Sequence, residues 1–272
     1  MEGQIVKIIS NDYFVKTNNN EYICKARGKF RQENITPKVG DFCLFDEKEK
    51  VIKEIKPRIN TLSRPLVSNI NQAFIVTSLK NPDFSSNLLD KLICICILNN
   101  IEPIICLTKK DLLTKSEYKD LKKIINYYKK LGIKVVYNNN INKIKKLLKH
   151  KTTVFTGQTG AGKSSLMNKL DKSLNFETNE ISKALGRGKD TTRTVSLVEI
   201  NNGKVLDTPG FSDIDLSVYK KEDIRDSFKE FKNKCKYTNC MHINEKECVV
   251  KELVNKNIIL KSRYENYIKF IK

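Results

Sequence analysis

No apolar run in this chain is long enough to cross a bilayer: the longest, such as ICICIL from Ile93 to Leu98, fall far short of the roughly 20 residues a membrane helix needs. No basic-then-apolar leader precedes Gln4, so the expectation is a soluble, cytoplasmic protein with no membrane partner. Acidic residues are scarce as well, 31 Asp and Glu against 51 Lys and Arg, for a net charge of +20. Such a field draws a protein toward polyanions, nucleic acid first among them. The asparagine runs at 18–20 and 138–140 show that compositional drift also shapes the surface. Histidine is nearly absent, with His150 in a basic loop and His242 beside cysteines. Five of the eight cysteines (Cys24, Cys43, Cys94, Cys96, Cys106) stand among apolar residues, as reduced core thiols do.

What is present organises itself into three parts, with expected bounds 1–60, 61–217 and 218–272 in a chain of 272 residues. The first carries QIVKIIS, YFVKT, EYICKA, FCLF and VIKEI, five short strand-like stretches without a long helix. That pattern suggests an all-β barrel of the oligonucleotide-binding (OB) type. Ile59 to Pro65 reads as a linker. Beyond it, apolar strands such as QAFIVTSL, IEPIICL, IKVVY and TTVFT alternate with helical patterns, which implies right-handed crossovers and a mainly parallel α/β sheet.

Three motifs carry chemistry in that sheet. GQTGAGKS, from Gly157 to Ser164, fits G-x-x-x-x-G-K-S between an apolar strand and a periodic helix, the setting of a phosphate loop. Its candidate ligands run through Gly157, Gln158, Thr159, Gly160, Ala161, Gly162, Lys163, Ser164 and Ser165. Lys163 reaches the β/γ oxygens, and Ser164 is a Mg²⁺ ligand. DTPG places Asp207 where a carboxylate steadies Mg²⁺ and the Gly210 N–H where it meets a γ-phosphate. TKKD (Thr108, Lys109, Lys110, Asp111) closes a strand, so its carboxylate lies at the sheet edge and can accept two hydrogen bonds that guanine offers and adenine does not.

TKKD precedes the phosphate loop in the chain, the reverse of the usual order. Parallel strand ends meet along one edge whatever order the chain visits them, so a circular permutation keeps the site.

Cys235, Cys240, His242 and Cys248 form C-x4-C-x-H-x5-C in a polar stretch that cannot bury thiols apolarly, a ligand set for one structural Zn²⁺. From about Cys248 to Lys272 apolar residues recur at helical intervals. Tyr264 and Tyr267 there either stack on RNA bases or pack within the helix, and their spacing favours packing.

VGDFCLF, RPLVSNINQAFIV, GQTGAGKSSLMN, LGRGKDTTR, DTPGF and the cysteine cluster together resemble the circularly permuted GTPases of small ribosomal subunit biogenesis, the RsgA family (also called YjeQ or YloQ), over nearly the whole chain. The resemblance implies an OB-type barrel, a permuted P-loop GTPase domain and a zinc-binding helical tail. It implies a protein that hydrolyses GTP to GDP with Mg²⁺, binds the small subunit and its rRNA in a nucleotide-dependent way in late maturation, and is stimulated by that subunit; a monomer is expected. It assigns the switch threonine to Thr191 or Thr192, as Mg²⁺ ligand and part of the catalytic set with Lys163. Many members have a histidine directly before those threonines, whereas this chain has Asp190. Asp190 can orient water, but its charge opposes nucleotide binding unless Arg187, Lys189 or Arg193 screens it. The competing reading is therefore a GTP-binding, RNA-associated checkpoint module with little hydrolysis.

Overall fold

In the computed structural model, residues 1–28, 30, 34–62, 66–171, 195–207, 215–232 and 235–272 are described. The N-terminal strands are β1 (Glu2–Ile9), β2 (Asp12–Lys16), β3 (Glu21–Ala26), β4 (Phe42–Asp46) and β5 (Val51–Ile55). β1, β2 and β3 pair antiparallel in turn, β3 runs parallel to β5, and β4 bridges β5 and β1 to close the ring. Alternation sends Ile5, Val15, Cys24, Cys43, Phe45 and Ile52 inward, filling a barrel too narrow for anything but side chains. The five-strand barrel expected from the sequence is present.

The stretch read as a linker is a hydrogen-bonded joint. β6 (Thr61–Leu62) and β7 (Val67–Ser68) form a two-stranded ribbon. Fully buried Asp41 beside it receives Arg58 Nε and Nη2, each at 2.7 Å, and Ser68 Oγ at 2.5 Å. Gly40, at φ +98°, presses so closely on this ribbon that a Cβ would stand 2.1 Å from the Ser68 carbonyl oxygen. Only glycine fits there.

The central sheet follows: β8 (Gln72–Ser78), α1 (Ser86–Leu98), β9 (Glu102–Thr108), α2 (Lys115–Lys130), β10 (Lys134–Tyr137), α3 (Ile141–Leu148), β11 (Thr152–Gly157), α4 (Lys163–Leu170), β12 (Ser196–Ile200) and β13 (Gly203–Asp207). Strands run β10-β9-β8-β11-β13 in parallel, with β12 antiparallel beyond β13. β8 and β11 are buried along their whole length, as central parallel strands covered on both faces must be. Residues of α1 and α2 share the core on one face; those of α3 and α4 pack on the other. Local signals set the helix starts: Ser85 caps α1, and Thr114 with Glu117 forms a capping box on α2. β12 also pairs with β1 through Lys7 and Ser196, so barrel and central sheet join in one eleven-stranded sheet.

The tail contains α5 (Lys221–Ser227), α6 (Val249–Asn255) and α7 (Lys261–Phe270). The single helix expected over about 248–272 is two, broken where Asn257 takes φ 55° and the Ile258 and Ile259 amides turn back to the Leu253 carbonyl. No helix among the described residues is long and apolar enough to cross a membrane. All five cysteines read as core thiols are buried and free, and burial pushes Cys43 and Cys106 up to about 12.

Candidate functional site

The parallel strands β8, β9, β10, β11 and β13 end at Ser78, Thr108, Tyr137, Gly157 and Asp207, so five carboxyl ends converge on one edge of the sheet. Residues far apart in sequence meet there, as the permuted order requires.

At its centre the chain leaves β11 through Gly157 (φ +133°), which lies against β8 so tightly that a Cβ would meet the Val76 carbonyl oxygen at 2.1 Å. The loop then turns through Gly160 and Gly162, both left-handed, into the N-terminus of α4. The first N–H groups of that helix have no acceptor within it, and with the helix dipole they suit an anion. The Lys163 ammonium is held over the loop, donating to the carbonyls of Gly157 at 2.7 Å and Gln158 at 2.9 Å. Burial holds its pKa below the ordinary lysine value. A partly desolvated cation beside free helix amides fits a polyphosphate that supplies the missing counter-charge. Ser164 is half-buried at the start of α4 and Ser165 is exposed.

The second motif lies directly against the first. Thr108, buried at the end of β9, donates from Oγ1 to the Ala161 carbonyl at 2.7 Å. Lys109 takes a left-handed conformation (φ 56°) that swings its ammonium onto the Gly160 carbonyl at 2.9 Å and the Asn81 carbonyl. Asp111 is exposed in the short 3₁₀ turn Lys110–Leu112. The structure adds a contact that the sequence reading missed. The Lys110 ammonium lies 4.3 Å from the Tyr118 ring centroid and 5.3 Å from that of Tyr137, whose hydroxyls share a hydrogen bond of 2.9 Å. The turn that presents Asp111 is thereby tied to the phosphate loop on one side and to two aromatic rings on the other. Nothing local signals this, since Tyr118 and Tyr137 belong to different elements.

β13 ends at Asp207, at the same edge. Asp190, Thr191, Thr192 and Gly210 lie outside the described residues.

The second cluster is compact. His242 Nδ1 lies 3.3 Å from Cys240 Sγ, 3.4 Å from Cys248 Sγ and 3.7 Å from Cys235 Sγ, and all four donor atoms lie within 4.8 Å of one another. A tetrahedral zinc with Zn–S of about 2.3 Å and Zn–N of about 2.0–2.1 Å has edges near 3.5–3.8 Å. The donor set is compatible with that ion, and burial lowers the His242 pKa toward the neutral imidazole a metal ligand must be. Around it Phe231 sets its ring edge-on to the imidazole at 5.5 Å, while Tyr264 and Tyr267 donate to the carbonyls of His242 (2.6 Å) and Met241 (2.5 Å). Both tyrosines therefore pack within the tail. A buried network docks this unit on the central domain: Arg263 reaches Asp90 on α1 and Glu230, each at 2.6 Å, with Tyr128 and Asn266 also on the Asp90 carboxylate. Burial pushes the Asp90 carboxyl up, and Arg263 with the hydrogen-bond donors opposes that shift.

Comparison with known proteins agrees with this geometry. A family model described as RsgA GTPase matches residues 55–217, and one described as RsgA N-terminal domain matches residues 2–51. The chain is 44% identical to small ribosomal subunit biogenesis GTPase RsgA 2 of Oceanobacillus iheyensis and 46% identical to RsgA of Clostridium novyi, covering 99% of this chain and 96% of each relative. The crystal structure of YloQ, a circularly permuted GTPase, superposes with a TM-score of 0.84 at 33% identity, over 99% of this chain and 93% of that one. YjeQ from Thermotoga maritima gives 0.85 at 32%, over 99% and 96%.

Proposed function

The chain belongs to the RsgA GTPase family, and from that premise we propose how its residues divide the work of a P-loop GTPase in small ribosomal subunit biogenesis. It hydrolyses GTP to GDP and phosphate. The guanine sits against Thr108–Asp111, with the Asp111 carboxylate accepting from N1–H and the exocyclic amine and the Lys109 stem covering the base. Amides from Gly157 to Ser165 cradle the α- and β-phosphates, and Lys163 spans the β- and γ-oxygens. Ser164 and Thr191 or Thr192 would hold Mg²⁺, Asp207 would support it, and the Gly210 N–H would meet the γ-phosphate. Mg²⁺, when bound, supplies neutralisation of the charge on the transferring phosphoryl group. Asp190 orients the attacking water. The sequence motifs offer no equivalent of a water-positioning glutamine and no evident arginine finger, so turnover is slow alone and accelerated by the small subunit.

The same reading takes 1–60, 61–217 and 218–272 as the domain bounds, and the Cys235, Cys240, His242 and Cys248 set as the ligands of one structural Zn²⁺. It places a monomer in the cytoplasm, with rRNA of the small subunit as its partner. The observation that carries the assignment of the nucleotide site is the pair of bonds tying the guanine-reading loop to the phosphate loop, Thr108 to Ala161 at 2.7 Å and Lys109 to Gly160 at 2.9 Å. The test is GTP hydrolysis with and without purified small subunits, for wild type and Asp190→Ala. Stimulation by subunits that falls in the variant is expected. Absence of stimulation in the wild type overturns the subunit-activated reading, and full stimulation of the variant removes Asp190 from the water.

A further inference from the structure

Between Asp120 and Asp171 the chain contains no Asp or Glu, while it carries twelve lysines and no arginine. A proportional share of the chain's 31 acidic residues over that length would be about six. Lysine-rich drift alone would leave acids interspersed, as they are in the tail, where Glu222, Asp223, Asp226, Glu252 and Glu265 alternate with lysines. The segment folds into the C-terminal half of α2, then β10, α3, β11 and α4. β10 is the edge strand of the central sheet, α2 packs on one face of that sheet and α3 on the other. The lysines of α2 and α3 therefore flank one sheet edge from both sides.

Lys122, Lys129, Lys130, Lys143, Lys146 and Lys149 are all exposed, and among the described residues none of them forms an ion pair. The Glu102 carboxylate, on the strand beside β10, is already held by Lys134 at 2.5 Å and Lys151 at 2.9 Å. Protection of an edge strand from aggregation needs a charge on the strand, which Lys134 supplies, and it gives no reason to strip acids from both flanking helices.

We infer that this lysine rim is a docking surface for the phosphate backbone of an RNA helix, separate from the nucleotide edge. The inference rests on the small-subunit reading above for its partner. The chemistry favours backbone over bases. Lysine offers point charges without the planar fork that reads guanine edges, and the aromatic side chains of the segment are engaged elsewhere. Tyr128 is buried against Asp90, Tyr127 reaches Glu230, and Tyr137 is bonded to Tyr118. Contact there is sequence-independent and falls steeply with salt.

The test uses the full chain with Lys129, Lys130, Lys143 and Lys146 all changed to Gln, beside a control in which Lys220, Lys221, Lys256 and Lys261 are changed to Gln. Affinity for purified small subunits and for a 20-base-pair RNA duplex is measured across a salt series, with GTP affinity measured in parallel. For the rim variant, the slope of log K against log salt is expected to fall by about three, and affinity at physiological salt by at least tenfold. GTP affinity should be unchanged, and the control should lose less than threefold. Equal losses in rim and control variants would show that only net charge matters and overturn the inference. So would unchanged RNA affinity in the rim variant with lost binding to anionic lipid vesicles, which would reassign the surface to a membrane. A wild type that binds the duplex through the rim but no subunit would instead leave the rim standing and overturn the subunit reading.

Discussion

The nucleotide edge and the metal cluster of this molecule are built in opposite ways. The first draws on strand ends at Ser78, Thr108, Tyr137, Gly157 and Asp207 and exists only once a parallel sheet has brought them together. The second lies within the fourteen residues from Cys235 to Cys248, whose four donor atoms come within 4.8 Å of one another. In the edge, on the reading proposed above, backbone amides would do most of the binding and side chains would tune it. In the cluster, four side chains would do the binding, with Phe231, Tyr264 and Tyr267 packed around them. A site assembled from a sheet should lose affinity gradually as single contacts are removed, whereas a site assembled by its metal should fail as a whole.

Cys240→Ser tests that contrast at its largest effect. Zinc content is expected to fall from about one per chain to none, and the tail should lose its ordered packing around Phe231, Tyr264 and Tyr267, because structural zinc in small units contributes about 10–16 kcal/mol. GTP affinity should stay within about twofold, since the tail meets the central domain along α1, through Arg263 on Asp90, Asn266 on Asn87, Ser227 on Cys94 and a shared apolar core, rather than through the phosphate loop or TKKD. Metal analysis together with nucleotide titration reads both. A zinc-free protein with an intact tail would contradict the metal clip. Lys163→Ala comes next: removing a charge-assisted contact to phosphate oxygens should weaken GTP binding about 100-fold while zinc content stays at about one. Wild-type affinity in that variant would remove Lys163 from the phosphate site.

Much of this contrast was legible in the sequence, for reasons that differ between the two regions. The phosphate loop, TKKD and the cysteine cluster are contiguous, and strand and helix periodicity gave their settings. What stayed hidden is long-range. Asp41 meets Arg58 and Ser68 across the joint, β1 pairs with β12 nearly 190 residues later, and Arg263 crosses to Asp90. None of these leaves a local pattern, because a buried ion pair is written in two separate segments. The short ribbon at Thr61–Leu62 and Val67–Ser68 reads as a linker in the sequence because two-residue strands are below the length at which alternation can be seen. That His242 turns Nδ1 rather than Nε2 toward the three thiols is likewise not encoded in the spacing.

Asp111→Asn sharpens the comparison from the side of the edge. The amide offers one acceptor where the carboxylate offers two, so a guanine donor is left unpaired at a cost of about 1–3 kcal/mol. GTP affinity should drop about tenfold to 100-fold. Xanthosine triphosphate, whose 2-carbonyl accepts where the guanine amine donates, should bind the variant better than it binds wild type. Unchanged discrimination among the three triphosphates GTP, ATP and XTP in a competition assay would refute the role of Asp111.

The smallest effect belongs to the tyrosines that hold the turn. Tyr118→Phe keeps a ring beneath Lys110, 4.3 Å from its ammonium, and removes only the hydroxyl that meets Tyr137 at 2.9 Å. A partly buried hydrogen bond of this kind contributes about 0.5–1 kcal/mol, so GTP affinity should fall two- to fivefold. Tyr118→Ala removes the cation–π contact as well, worth about another 0.5–1 kcal/mol at a half-exposed site, and should bring the loss to about tenfold. Both variants should lower GTP and XTP affinity by the same factor, because they loosen the turn without changing what its carboxylate recognises. If Tyr118→Ala instead erased guanine preference as fully as Asp111→Asn, recognition would reside in the rigidity of the turn, and the edge would share with the metal cluster the property of failing as a unit.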